Sequence, residues 1–267
     1  MDPVGSDKQI RLRYAGTCRP CGEPLPAGGE AIYERNAKTV RCVECRMPAE
    51  PQPDVAGGSA RREYERRKSA REDRIRASHP KLGGLILALS DDPQSTRAWE
   101  RGAVGEELLG ERLKDLPATA RVLHDRRNPG TRANIDHIVV TPAGVWVIDA
   151  KRYKSKRPEL HVEGGILRPR TESLRVGGRD ASKLVSGVAS QVDRVAGAVA
   201  DDAVTVTGVL CFLEADWPLI GGSFEVNGIH VLWPRLLIKR ITAESTPDPI
   251  DPDVVSGRLA AAFPRHA

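Results

Sequence analysis

Asp136, Asp149 and Lys151 stand at the ends of two neighbouring apolar runs, residues 134–140 and 145–151, joined by a Thr-Pro-Ala-Gly link at 141–144. Pro and Gly at that link predict a tight hairpin turn. Side chains alternate faces along a strand, so Asp149 and Lys151 point one way and Ala150 the other. If Val140 faces Val145 across the turn, Asp136 falls opposite Asp149 and Asn134 opposite Lys151. Opposed residues share a face, with Cβ atoms about 4.5–5.5 Å apart. Two carboxylates at about 5 Å repel by roughly 3 kcal/mol at an effective dielectric near 20. A shared proton, the lysine or a divalent cation would each relieve that repulsion. Paired acids with a lysine on one face are what metal-dependent phosphodiester hydrolysis uses, and their hard oxygens suit Mg²⁺. An Asp-x-Lys tripeptide alone is commonplace, because strand ends often carry solvated charge. The opposed register, and a 145–148 run with no polar face, give the pattern its meaning. Such a run predicts a strand buried on both sides, where charges need partners.

The segment from about residue 99 to residue 199 resembles the nuclease-related domain, NERD, a branch of the PD-(D/E)xK phosphodiesterase superfamily. Four pieces carry the resemblance in the family's order. They are Gly102-Ala103-Val104-Gly105-Glu106-Glu107 in a helix, Asn134-Ile135-Asp136-His137 in a strand, Asp149-Ala150-Lys151 ending the next strand, and Gln191 in a later helix. The family commonly has Glu-x-Lys in the third piece; Asp149 shortens that arm by one methylene. The resemblance implies that Asp136 and Asp149 bind Mg²⁺ or Mn²⁺, with the Ala150 carbonyl as a further ligand. It implies that Glu106 contributes directly or through water, that Lys151 assists the nucleophile, and that Gln191 positions phosphate or water. The plainer reading of Glu106 and Glu107 is charge at a helix start, that of Gln191 a solvated helix position, and that of His137, which points away from Asp136, a structural role.

The cysteines carry a second signal. Cys18-x-x-Cys21 and Cys42-x-x-Cys45, with twenty residues between, fit the zinc-ribbon template. Glycines at 22, 28 and 29 supply turns, and residues 31–33 and 38–40 predict a small hairpin. A module of about 45 residues buries too little surface to fold unaided, so Zn²⁺ would hold it together. Paired disulfides are the alternative, disfavoured in a chain without a hydrophobic export signal. Such a ribbon can also carry a protein partner. Cys211, alone in the apolar run 204–213, reads as a small buried hydrophobe.

The elements that must position these residues follow from periodicity. Prolines 48, 51 and 53 and Gly57-Gly58 mark a linker, after which Ser59 would cap a helix from Ala60. Residues 61–76 of that helix hold eight basic and four acidic side chains. This predicts a solvated spacer tied by pairs such as Glu63–Arg67, or a phosphate-contacting arm. A short apolar patch spans 82–89. An amphipathic helix follows over 99–116 with Val104, Leu108 and Leu109 inward, then a strand at 121–124. A hairpin is expected near Gly164-Gly165, and a helix over 180–200 with Leu184, Val188, Val192, Val195 and Val199 on one face. Strands at 204–213 and 229–233 and a closing helix at 253–263 complete the chain. The expected fold is α/β (α+β), a mixed central sheet flanked by helices; the resemblance makes it restriction-endonuclease-like. The expected partition is 1–48 zinc ribbon, 49–98 linker and basic helix, and 99–267 nuclease-like domain.

Arg152, Lys154, Lys156 and Arg157, with Arg168, Arg170 and Arg175 beyond, would line a groove for a phosphate backbone or form a solvated loop. No base-reading motif accompanies them, so contacts to backbone are expected. A net charge of +5 permits an acidic partner without demanding one. No apolar run is long enough to span a bilayer, and a cytoplasmic, non-membrane protein is expected. The leading expectation is a divalent-metal-dependent nuclease acting on DNA. The alternatives are a nuclease fold that binds nucleic acid without turnover, and a zinc-stabilised interaction protein.

Overall fold

The structure is a computed structural model that describes residues 8–18, 23–34, 39–43, 55–80, 82, 87, 93–131, 133–165, 169–219 and 222–265. The chain forms two compact units, Met1–Pro53 and Asp54–Ala267. The expected apolar patch at 82–89 lies mostly outside the described residues, as do Cys21, Cys45, Arg168 and the prolines of the linker.

In the first unit, β1 (Lys8–Arg11), β4 (Glu30–Glu34) and β5 (Thr39–Cys42) form an antiparallel sheet, and β2 (Gly16–Thr17) pairs with β3 (Pro24–Leu25). The hairpin expected at 31–40 is the β4–β5 pair, with Tyr33 opposite Val40. Among the described residues of this unit, Cys18, Leu25 and Ala31 are buried and apolar, with Leu12, Val40 and Cys42 packed on them.

The second unit is built on a six-stranded mixed sheet ordered β13-β14-β12-β8-β7-β6. Its strands are β6 (Arg121–Arg127), β7 (Asn134–Thr141), β8 (Gly144–Arg152), β12 (Val206–Leu213), β13 (Phe224–Val226) and β14 (Ile229–Leu232). Central β8 is antiparallel to β7 and parallel to β12. It is apolar on both faces because both faces are covered. Helix α2 (Gln94–Leu113) and α4 (Pro234–Ala243) pack on Trp146, Ile148 and Ala150 with Leu109, Leu113, Leu237 and Ile241. Helix α3 (Ser182–Val199) and α5 (Pro252–Ala262) cover Val145 and Val147 with Val195, Val199, Val255 and Leu259. A small antiparallel sheet, β9 (Pro158–Glu163), β10 (Thr171–Val176) and β11 (Arg179–Asp180), packs beside α3 through Leu174 and Val176. Its loop is longer than expected from Gly164-Gly165: Glu163 pairs with Thr171. Cys211 lies in the core as expected, and burial pushes its thiol up.

Three expectations about helices are corrected. Helix α1 (Gly58–Ser78) begins two residues before Ala60, after Gly57 at φ 74. Ser59 therefore sits inside the first turn and does not cap it. The helix is not a free spacer either, because it packs along α2. A Cβ on Gly57 would come within 2.8 Å of the Ala103 carbonyl, and one on Gly110 within 2.5 Å of Ala56 Cβ. Arg61 Nη2 donates to both oxygens of Glu107 at 2.7 Å. The Glu63–Arg67 pair forms as expected. On α2, Leu108 is exposed, and the inward face is Ala103, Gly105, Leu109, Gly110 and Leu113.

Close packing also fixes α3. A Cβ on Gly208 of β12 would lie 2.6 Å from Ile229 Cδ1 and 2.8 Å from Val192 Cγ2. Gly208→Leu is expected to cost about 3 kcal/mol or more, since overpacking of a dense core typically costs 1–3 kcal/mol. A thermal melt reads this as a midpoint lowered by several degrees; an unchanged midpoint would contradict the packing.

Candidate active site

The β7–β8 hairpin has the register expected from the turn: Thr141 faces Gly144, Val140 faces Val145, and the ladder runs to His137 opposite Ile148. Beyond that point, the Ala150 amide donates to Asp136 Oδ2 at 2.9 Å. The carboxylate thus takes a backbone donor on β8 at the end of the ladder. Lys151 Nζ donates to Asp149 Oδ1. Asn134 does not share the ladder with Lys151; its side chain binds Ser59 and Asp125 instead.

Glu106 reaches the same place from α2. Glu106, Asp136, Ala150 and Lys151 all line one cleft of about 560 Å³. The helix can approach because residue 105 is glycine: a Cβ there would meet Arg152 Cβ at 3.1 Å. The electrostatics follow from three acids around one ammonium. Burial, then the charge of Asp149, push the Asp136 carboxyl up to about 8, against the pull of Lys151 and the Ala150 amide. Burial, then Asp136 and Asp125, raise Glu106 well above the usual carboxylate range. Burial works against the Lys151 ammonium, yet Asp149, Asp136 and Glu106 together raise it above its ordinary value. The site therefore holds more acid than one lysine can neutralise, and burial favours the protonated forms of Asp136 and Glu106.

Gln191 is buried on the sheet-facing side of α3, within the apolar series Val185, Val188, Val195 and Val199. Its Nε2 donates to the Asn134 carbonyl at 3.2 Å, and its Oε1 is buried without a hydrogen-bond partner among the described residues. It is not the solvated position that the plainer reading allowed. His137 is buried, with Nδ1 2.8 Å from Nδ1 of His124, away from the acids; burial and His124 hold it well below its usual range.

Of the basic residues singled out from the sequence, Arg152, Lys154 and Lys156 line the cleft. Arg152 is partly neutralised by Glu214 at 2.7 Å. Arg157 does not line this cleft and pairs with Asp216 at 3.2 Å. Sequence reasoning missed Arg101 and Tyr153, which complete the wall. Arg101 lies five residues before Glu106, outside the i,i+3 and i,i+4 spacings that make helix residues neighbours, so its place in the wall had no signal in the spacing. It also missed Asp125, whose sign is a charge inside the strand that carries Val122 and Leu123.

In the first unit, the Cys42 amide donates to Cys18 Sγ at 3.2 Å, so the leading cysteines of the two knuckles meet. Among the described residues, no three His, Cys, Asp or Glu side chains are gathered tightly enough to hold a metal ion. In the acid cluster, the Lys151 ammonium supplies the counter-charge.

The α/β unit thus has a mixed sheet with helices on both faces, acids and a lysine at the end of its central hairpin, and basic side chains in the cleft beside them. Residues 101–212 match the family model described as NERD, nuclease-related domain. The match contains Glu106, Asp136, Asp149, Lys151 and Gln191, and it suggests a nuclease-related function and nucleic-acid binding. No curated protein and no solved structure matches the chain. Among the described residues, no helix is long and apolar enough to cross a membrane.

Proposed function

We propose that the chain is a divalent-metal-dependent phosphodiesterase of the restriction-endonuclease-like PD-(D/E)xK type, acting on DNA. The observation that supports this most is the convergence of Glu106, Asp136, Ala150 and Lys151 on one cleft walled by basic side chains, with Asp149 bonded to that lysine. The donor chemistry suits Mg²⁺ or Mn²⁺: Glu106 and Asp136 line one cleft with Asp149 beside them on Lys151, and an ion would draw these hard carboxylate oxygens closer together than they stand here. Asp136 and Asp149 would hold the ion, with Glu106 and the Ala150 carbonyl completing the donors. When bound, such an ion polarises the scissile phosphate and makes a water acidic enough to attack. Lys151 places positive charge where the phosphoryl oxygens gain negative charge. Gln191 keeps an acceptor, Oε1, for a water at the site. Arg101, Arg152, Lys154 and Lys156 hold the backbone on either side.

The test is incubation of the full chain with Mg²⁺ or Mn²⁺ and single-stranded, double-stranded or branched DNA. Cleavage that chelation abolishes is expected; salt-dependent binding with no cleavage of any substrate would overturn the reading. Backbone recognition predicts a further result. Removing Lys154 and Lys156 together by alanine substitution should weaken DNA binding about equally for all sequences and reduce the salt slope by about 2, roughly one for each phosphate no longer neutralised. An unchanged slope would place the strand elsewhere.

For the first unit we propose a structural Zn²⁺ on Cys18, Cys21, Cys42 and Cys45, with the ribbon offering a surface to a protein partner. Elemental analysis should find about one zinc per chain. Cys42→Ser should release it and unfold this unit, whereas retention of full zinc content would exclude the site.

A further inference from the structure

On β6 the ladder with β7 is interrupted at one residue. His124 pairs with His137 and Arg126 with Ile135; Asp125 lies between them, across from Asp136, at φ 49. A left-handed backbone is costly for a residue with a Cβ and persists where the surroundings fix it. Here the Asp125 carboxylate is buried and accepts three hydrogen bonds. Ser59 N–H donates at 2.6 Å, the Ser59 hydroxyl at 2.5 Å and Asn134 Nδ2 at 2.9 Å. Asn134 Nδ2 also donates to Ser59 Oγ at 2.7 Å, and its carbonyl accepts from Gln191.

Four elements are thereby tied at one point: α1, β6, β7 and α3. That point is two residues from Asp136 on the same strand, so Asn134 and Asp136 share a face. Helix α1 has no local side-chain cap, and its first-turn amide at Ser59 is taken by Asp125 from another part of the fold. A cap alone would need neither a strained strand residue nor a second donor from β7. The geometry points to Asp125 as a positioning residue: with Ser59 and Asn134 it clamps the start of β7 and holds the Asp136 carboxylate against Ala150. Helix α1, outside the matched residues 101–212, thereby becomes part of the site. The inference rests on the reading of Asp136 as a metal ligand.

The experiment uses the full chain as wild type, Ser59→Ala, Ser59→Thr and Asp125→Asn. Amide hydrogen exchange is measured without metal, and cleavage is measured over a Mn²⁺ series. Ser59→Ala and Asp125→Asn should speed exchange at Ala150 at least tenfold while leaving core Val209 unchanged. They should raise the half-saturating Mn²⁺ at least fivefold and lower kcat at least tenfold, with KM for DNA within twofold. Ser59→Thr, which keeps the hydroxyl, should restore every value. Faster exchange confined to the first turn of α1, with Ala150 and the Mn²⁺ dependence unmoved, would reduce Asp125 to a helix cap and overturn the clamp. If wild type neither cuts DNA nor responds to Mn²⁺, the hydrolase reading fails, and exchange at Ala150 still decides the clamp. If Asp125→Asn does not fold, Ser59→Ala carries the test.

Discussion

Asp149→Ala should lower metal-dependent DNA cleavage at least about 1,000-fold, a loss of roughly 4 kcal/mol of transition-state stabilisation, with the fold retained. The expected size follows from geometry. Asp149 supplies a carboxylate and is the group to which Lys151 Nζ donates, so its removal takes away both the proposed metal ligand and the lysine's anchor. Lys151→Ala should cost about 100- to 1,000-fold in kcat while leaving Mn²⁺ binding intact, because the ammonium is a competitor of the ion and not its ligand. Asp149→Asn should be as damaging as alanine, since the amide keeps the shape and loses the charge. Asp149→Glu, the commoner residue in the family, should keep measurable activity. Steady-state kinetics on the four variants, with circular dichroism to verify folding, checks the set. Wild-type rates in Asp149→Asn would detach this carboxylate from the chemistry.

The second large effect concerns stability. Asp136 is pushed up to about 8, chiefly by burial and then by Asp149, whereas an aspartate in an unfolded chain titrates near 4. Between those values the folded state keeps a proton that the unfolded state has released. Stability without metal should therefore fall as pH rises from about 4 to 8, by up to about 1.4 kcal/mol per pH unit, and level off above. Glu106, also raised, adds in the same direction. Asp136→Asn should flatten the dependence and leave the metal-free protein more stable at pH 8 than wild type, although inactive. Saturating Mn²⁺ should do the same for wild type, adding about 2.7 kcal/mol at a hundredfold excess over Kd. Denaturant melts at several pH values measure this. Stability that rises through the same window would contradict the assignment of a protonated, ion-seeking cluster.

Much of the site was legible because strand geometry is strict. A two-residue turn fixes register, and a period of two fixes faces, so the approach of Asp136 and Asp149 could be read from residues 134–151. Gln191 was named only through the family resemblance; its plainer reading as a solvated helix position is overturned by its burial among the apolar residues of α3. What could not be read depends on distant partners. Ser59 has the composition of a helix cap, yet the first turn of α1 is satisfied by Asp125, brought there only by the tertiary fold. Leu108 was expected inward by hydrophobicity, but α2 lies close to β8 through Gly105 and to Ala56, just before α1, through Gly110, so the small residues define its buried face. Helix α4 was not anticipated: it is only ten residues long, and Pro234, which opens it, reads equally well as a break after a strand. The basic helix gave no apolar stripe, because it is held to α2 by close approach at glycines and by the Arg61–Glu107 ion pair.

The most direct measurement is a calorimetric titration of Mn²⁺ into wild-type protein and into Asp136→Asn and Asp149→Asn at pH 8. The predicted result is an ion bound by wild type at the carboxylate cluster and lost, or weakened at least tenfold, in each variant, while Lys151→Ala binds at least as tightly as wild type. Isotherms that are identical across the carboxylate variants would contradict the claim that these side chains share one cation.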